Sequence, residues 1–398
     1  MIAKILLINF IFKPELEKNY ILISYFYFSF ALKICYLTCI LKKIFLIKVS
    51  YKNEMNKVLK AAVVIIVFSL FLGSSCNKDK VPEKKENAGD SKNSDLVKQD
   101  EKGTKVNIKI QPKAGDIFKY KMVKASSETN ISPLTDNKEM VNAQSETYYF
   151  TQEVAEINES GVITYKMRYD SIIVTSKVSL GDSSKTLTYN SNIKDTVSSM
   201  TEFIVYNNIT NSNFKIRVSA SGELYDVYEL ESIYDKVIKT LGDTLASREK
   251  EGVKENIHSS MKDVISGQFQ EFPKTEIYKD SVWSLTKTSD SPPFPFKNII
   301  TYKVKEIAKE GNDNFVTIEA VLAVEFINKE NKTKEGTMKI ENSDAGGKGT
   351  TKFNLSRGTL SKKETIQNIN IDLLISTQGR KFKTKKKSSL SLNLDLLN

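Results

Sequence analysis

The feature that most constrains the fold is a strict alternation of apolar and polar residues. It is clearest at 388–396, where Leu390, Leu392, Leu394 and Leu396 are separated by polar residues. Successive side chains of a β-strand point to opposite faces, so this pattern buries one face and leaves the other in water. Antiparallel sheets commonly have one covered and one solvated face. We therefore expect a protein built mainly from antiparallel strands.

A central segment of the chain has a different period. Apolar residues recur there at helical spacing over two stretches, roughly 229–241 and 246–266, which are separated near Gly242. Strand-like runs rich in β-branched and aromatic residues resume on both sides of it. The expected fold class is therefore α+β and mostly antiparallel β. The residues that form the two helical stripes are Leu230, Tyr234, Val237, Leu241, Leu245, Val253, Ile257, Met261, Val264 and Gln268.

The two strand-rich parts resemble each other in three segments that occur in the same order. This order favours an internal duplication, which predicts two similar curved β-sheet units joined by a helical hairpin. Strand–turn–strand sequences also look alike by composition, so chance likeness stays open as the alternative. The matching pairs are Gly115–Tyr120 with Lys279–Leu285, Phe150–Ile157 with Ile300–Ile307, and Phe214–Leu224 with Thr351–Leu360.

Residues 57–76 have the order of features found in a secretory signal peptide. Lys57 and Lys60 precede a short apolar stretch, and small residues lead to Cys76. The apolar stretch is too short to span a bilayer, which needs about 20 residues. A cysteine directly after small residues resembles the lipobox of bacterial lipoproteins, which implies that Cys76 is lipidated and becomes the mature N-terminus.

These features divide the chain into six parts. Residues 1–54 are interpreted as an extension upstream of the true start at Met55, although a membrane segment at 20–49 is the rival reading. Residues 77–105 have no aromatic side chain and few apolar ones, which predicts a flexible tether. The parts are an N-terminal extension at 1–54, a signal peptide at 55–75, a tether at 76–105, a first β unit at 106–228, a helical hairpin at 229–270 and a second β unit at 271–398.

Charge and cysteine content exclude several classes of function. The net charge of +11 falls to +4 once residues 1–75 are removed, so nucleic acid is not an expected partner. Cys76 is then the only cysteine left, so no internal disulfide is expected. His258 is the only histidine, and the Gly181-Asp182-Ser183 turn has no base placed for hydrolase chemistry. We therefore expect no enzyme activity, no metal site and no cofactor.

Three other motifs invite a functional reading. Asp344–Thr350 resembles a phosphate loop, but strand-like sequence flanks it on both sides, which predicts a hairpin loop. Ser291–Phe296 is a proline-rich turn that forms either a packed crossover loop or the rim of a cleft. Six of the eight residues at 380–387 are basic, which indicates either a solvated turn or a contact with an anionic surface. The basic residues are Arg380, Lys381, Lys383, Lys385, Lys386 and Lys387.

Taken together, the lipobox, the Gly115-Asp-x-Phe-x-Tyr120 opening, the Val218–Leu224 turn and the Phe269–Trp283 bridge resemble a family of uncharacterised Bacteroidota lipoproteins with a domain of unknown function. The resemblance implies attachment to the cell envelope through an N-terminal lipid, with the outer membrane, facing the periplasm or the cell surface, as the expected location. Two functions stay open. One is binding of a hydrophobic or lipid ligand in an apolar pocket of several hundred Å³; the other is a structural or protein-interaction role with a filled core.

Overall fold

The computed structural model describes residues 97–397, apart from 102, 243–244, 290–292, 335 and 378. The predicted extension, the signal peptide, Cys76 and the tether up to residue 96 lie outside the described residues. The helices are α1 Ile204–Ile209, α2 Glu231–Leu241 and α3 Ser247–Ser266, with short 3₁₀ turns at Pro133–Thr135 and Thr201–Phe203. The strands are β1 Val97–Asp100, β2 Gly103–Val106, β3 Ile117–Ile131, β4 Glu139–Ile157, β5 Ile163–Leu180, β6 Ser183–Asn190, β7 Asn213–Val218, β8 Leu224–Tyr228, β9 Ile277–Tyr278, β10 Val282–Ser289, β11 Phe296–Glu310, β12 Asp313–Phe326, β13 Glu330–Thr333, β14 Gly336–Asn354, β15 Thr359–Thr377 and β16 Arg380–Leu397.

Thirteen of these strands form one open sheet, which confirms the mostly antiparallel β class. Its order is β10-β11-β12-β14-β15-β16-β3-β4-β5-β7-β8, with β13 beside β14 and β6 beside β5. The C-terminal strand β16 pairs along Lys385–Leu397 with β3, so both strand-rich parts of the sequence share a single sheet. β10 and β8 are the two ends of this path, and each has one edge without a neighbouring strand in it.

The helices begin and end close to the predicted positions and cover one face of the sheet. Leu230 and Val237 are buried as expected, but Ile233 is buried where Tyr234 and Leu241 are only partly covered. In α3, Ile265 likewise replaces Val264 in the buried stripe. One turn of an α-helix contains 3.6 residues, so a buried stripe predicted from spacing alone can be displaced by one position. We call the sheet face under the helices the inner face and the opposite one the outer face.

The inner face carries an aromatic core. Phe150 is buried between Tyr120 and Tyr169, with ring centroids 5.4 and 6.0 Å away. Tyr169 also packs on Phe214, 5.7 Å away. Rings at these separations add to the free energy gained from burying their surface. The core therefore joins β3, β4, β5 and β7 beneath the helices.

The predicted tether is too long by several residues. Residues 97–100 and 103–106 form strands β1 and β2, and β2 pairs with β9 in a separate three-stranded sheet. Lys105 makes an ion pair with Glu276 at 3.0 Å, and the Tyr278 hydroxyl donates to Asp100 at 2.8 Å. Backbone pairing and polar contacts hold this segment. A prediction based on apolar content could not detect them, and it was wrong here.

Residues 110–111 connect two turns that are far apart in the sequence. The Ile110 N–H donates to the Ala220 carbonyl at 2.8 Å, and the Gln111 N–H donates to the Gly358 carbonyl at 3.2 Å. Gly222 and Gly358 have φ values of +91° and +61°, and a Cβ at either one would overlap backbone atoms of a neighbouring segment. Only glycine adopts such a φ readily, so both turns need it.

The glycine-rich segment 344–350 is not a hairpin loop. It lies inside β14, paired with β12 on one side and β15 on the other. A Cβ at Gly347 would overlap the Ile366 carbonyl oxygen of β15, and one at Gly349 would press on Thr365. Glycine inside a strand often marks a close approach of backbones. The predicted loop was therefore wrong because strand packing can require glycine as well.

Candidate functional site

A continuous row of partly exposed side chains crosses the inner face through nine strands. Each member is the direct register partner of the next, so the row runs at right angles to the strands. We call it the open row. Its members, from β10 to β5, are Leu285, Ile300, Leu322, Gly347, Gln367, Leu390, Ser126, Gln144 and Ser176.

Better-covered residues lie on both sides of the open row. On the helix side, Leu392 lies against Gly267 at the end of α3. The Thr351 hydroxyl donates to the Gln270 side chain at 2.5 Å, which holds the segment after α3 over β14. On the far side, Ile369 belongs to a second hydrophobic cluster that contains the fully buried Phe294. The proline-rich turn is therefore packed at Phe294. The open row borders the first cluster, against which Leu285 and Ile300 pack, and lies between that cluster and the second one.

The chemistry of the open row changes along its length. Leu285, Ile300 and Leu322 make its β10–β12 end apolar, and Leu390 continues this character on β16. Gly347 has no side chain, so the surface of the sheet is lower at β14. The polar side chain of Gln367 on β15 interrupts this apolar character before Leu390. Neighbouring strands lie about 4.8 Å apart, so the stretch from Leu285 to Leu390 spans roughly 24 Å. Beyond β16 every member of the row is polar. The row therefore has a mostly apolar part and a polar part, as an amphiphile has.

The interior beneath the helices is filled. A cavity of about 10 Å³ lies there, which is room for about one water molecule. The expected apolar pocket of several hundred Å³ is not present at this position. The residues that line the cavity are Ile110, Tyr120, Gln152, Tyr165, Gln268, Phe269, Thr359, Leu360 and Leu394.

Lys363 fastens the end of α3 to the sheet. Its ammonium donates to the carbonyl oxygens of Gly267 at 2.9 Å and of Phe269 at 2.6 Å. A cation at this place complements the negative end of the helix dipole. Burial, and secondarily the charge of Lys287, lowers the pKa of Lys363 to about 8. Lys363 is thus a partly buried lysine whose hydrogen bonds hold the end of α3 beside the open row.

We expect the stability of the protein to rise with pH above about 8 because of Lys363. In the unfolded chain its pKa returns to 10.5, so between these values the unfolded state binds more protons and alkali favours folding. The slope from this group approaches about 1.4 kcal/mol per pH unit. Chemical denaturation at about pH 7.5 and about pH 9.5 measures it. Lys363→Met should abolish the rise, whereas Lys362→Met, on the outer face beside Glu364, should keep it; equal slopes in both variants would contradict this role.

The six basic residues of 380–387 do not form one patch. Lys381, Lys383, Lys385 and Lys387 are exposed on the outer face of β16, and Lys383 forms an ion pair with Glu341 at 2.8 Å. Arg380 is exposed at the first position of the strand. Lys386 faces the inner side, where it is buried and lies 3.0 Å from a carboxylate oxygen of Glu128. The predicted turn is a strand, and alternation divides its charges.

Trp283 and His258 both make contacts within the fold. Trp283 lies on the inner face and stacks on Tyr302 at 5.2 Å, but it is only partly buried because β10 is an edge strand. A ring nitrogen of His258 lies 3.0 Å from the Val227 carbonyl oxygen.

No group of three or more potential metal ligands occurs in the part of the chain that the structure describes. No described helix is both long and apolar enough to cross a membrane.

Residues 160–360 match the family of unknown function DUF6263, and the chain therefore belongs to this family. No curated protein sequence matches it. A structure from a study of lipid–protein interactions in lipovitellin aligns with 72% of this chain at 10% identity and a TM-score of 0.40. This chain covers 26% of the lipovitellin chain, about a quarter of its length.

Two Pseudomonas aeruginosa structures also align with part of the chain. OpdQ and OccK7 (OpdD) each align with 71% of this chain and 100% of their own, at 7% and 6% identity and TM-scores of 0.19 and 0.20. Likenesses at these TM-scores establish neither a shared fold nor a shared ligand.

Sequence reasoning did not identify the open row. Leu285, Leu322 and Leu390 follow the same alternation as the buried residues beside them, so the pattern placed them on the inner face without showing that they lack cover. The row exists only because strands from both ends of the chain are in register. The register of the ladders, and not any motif, defines this site.

Proposed function

We propose that this protein is a lipid-anchored component of the cell envelope that binds a hydrophobic or lipid ligand on the open row. The observation that carries the proposal is the set of partly exposed apolar residues Leu285, Ile300, Leu322 and Leu390, which lie on four of six neighbouring strands, with Gly347 and Gln367 on the other two. Extended exposed apolar surface commonly marks a binding site. The signal-like sequence ending at Cys76 supports an anchor that holds this surface near lipid.

The location and partners follow from the same features. Lipidated Cys76 would attach the chain to the membrane, with the outer membrane, facing the periplasm or the surface, as the proposed site. The exposed lysines at 381, 383, 385 and 387 would face anionic groups, each contributing about 1 kcal/mol near such a surface. Neither an enzyme activity nor nucleic-acid binding is part of the proposal.

We also propose that the sheet arose by duplication. The strand order β3-β4-β5-β7-β8 matches β10-β11-β12-β14-β15, and the segment that contains the two helices lies between the two series. Gly222 and Gly358 occupy matching places in the repeated sequence, and each turn accepts a hydrogen bond from the same short segment. These correspondences support two related units within one sheet.

A structural or protein-interaction role is the second candidate. The cavity under the helices is small, so the core there is nearly filled. A filled core favours a structural role over binding of a ligand inside the protein. The two functions differ in one measurable respect. A ligand-binding protein takes up an apolar probe on the inner face, and a scaffold does not.

The test uses palmitate and the fluorescence of Trp283, the only tryptophan, which lies on the inner face two residues from Leu285. We expect palmitate to shift its emission without unfolding the protein. Leu322→Glu should weaken this binding about tenfold or more, because a carboxylate would have to be desolvated against the apolar chain. Val321→Glu is the matched control, since Val321 is 61% exposed on the outer face. An absence of any shift, or equal losses in both variants, would favour the scaffold.

A further inference from the structure

A buried polar cluster lies on the inner face next to the polar end of the open row. It consists of Glu128 and Asn130 on β3, Asn142 on β4 and Lys386 on β16. The Lys386 ammonium lies 3.0 Å from one Glu128 carboxylate oxygen, and the Asn130 amide donates to the other at 2.8 Å. Asn142 is the direct register partner of Glu128. We refer to these four residues as the polar cluster.

Asn142 is the unusual member of the polar cluster. It is 3% exposed, yet neither its amide nitrogen nor its carbonyl oxygen has a hydrogen-bond partner among the described residues. A buried polar atom without a partner costs about 1–3 kcal/mol. The side chain thus offers one donor group and one acceptor that the described part of the chain leaves unused.

Buried apolar residues flank the polar cluster on two of its sides. Val178 lies opposite Asn142 on β5, and Ile371 lies opposite Lys386 on β15. Both are buried. Replacing a buried ion pair by apolar residues is often neutral or stabilising, so stability alone does not account for charges in this place.

The register links the polar cluster to the apolar part of the inner face. Asn142, Glu128, Ser388 and Ile369 are successive partners from β4 to β15, a distance of about 14 Å. Gln144 and Ser126 of the open row lie two residues further along the same strands, about 7 Å away. A molecule with its tail on the open row would therefore bring its polar end to Asn142.

We infer that the polar cluster recognises the headgroup of a zwitterionic amphiphile whose acyl tail lies on the open row. This inference rests on the proposed function. Glu128 and Lys386 together carry no net charge, so they complement a headgroup that has both an ammonium and a phosphate. Lys386 suits the phosphate and Glu128 the ammonium, while both keep their mutual contact. The Asn142 amide supplies a donor and an acceptor to the same headgroup.

The test compares three probes with the same acyl chain, below their micelle-forming concentrations, on the full chain. They are lysophosphatidylethanolamine, lysophosphatidylglycerol and a monoacylglycerol, with Trp283 emission as the signal. We expect lysophosphatidylethanolamine to bind at least about tenfold more tightly than the other two, which corresponds to about 1.4 kcal/mol.

Asn142→Leu should remove this preference and leave monoacylglycerol binding unchanged. It should also fold, because an apolar side chain of similar size replaces unpartnered polar atoms. Asn142→Ser, measured alongside it, should lose the preference too. Asn368→Leu, at an exposed outer-face position of β15, should keep the preference.

The outcomes separate the two proposals. Equal affinities for the three probes in the unmodified protein, or a preference that survives both Asn142 variants, would overturn the headgroup assignment and leave binding to the open row intact. No binding of any probe would overturn the proposed function as well.

Discussion

Cys76→Ser is expected to move the protein completely out of the membrane fraction or to leave it unprocessed. The tether that follows Cys76 has few apolar residues, so nothing in it could retain the mature chain at a membrane without the lipid. Fractionation with and without detergent measures the effect. Cys35→Ser is the matched control and should change nothing, because Cys35 lies in the segment expected to precede the true start. Unchanged membrane association of Cys76→Ser would refute the anchor.

Phe118→Ala is expected to lower the free energy of unfolding by about 3–5 kcal/mol. Phe118 is 2% exposed on the inner face of β3, and the Arg357 guanidinium lies 5.5 Å from its ring. Trp283 occupies the matching position in the second half of the sequence. Because it is only partly buried on an edge strand, Trp283→Ala should cost less, roughly 2 kcal/mol, although the side chain is larger.

Denaturant titration of both variants compares the two positions directly. If Trp283→Ala proved the more damaging change, the placement of β10 at the edge of the sheet would be wrong.

Local patterns predicted the long strands and the two long helices, but not β1, β2 or α1. Alternation located the long strands, and the spacing of Leu230 and Val237 located α2, because each signal depends only on neighbours along the chain. The pairing of β16 with β3 depends on residues more than 250 positions apart, such as Leu394 and Met122. No pattern within either strand encodes that contact. Two sheet units were therefore expected where strands from both parts share a single sheet.

The same limit applies to individual residues. Lys386 and Lys387 are adjacent and chemically equal, yet one is buried beside Glu128 and the other is exposed. A count of basic residues groups them, whereas strand alternation separates them. Asn142 gave no signal in the sequence, because an unpartnered amide is recognised only when every neighbour is known.

Native mass spectrometry of the protein purified from its own membranes shows whether a noncovalent amphiphile accompanies the chain. We expect the lipid-modified chain to carry one, Leu322→Glu to lose it and Val321→Glu to retain it. The same spectra report the mass of the N-terminal lipid. A chain that is free of bound amphiphile in all three forms would contradict the assignment of the open row as a ligand site.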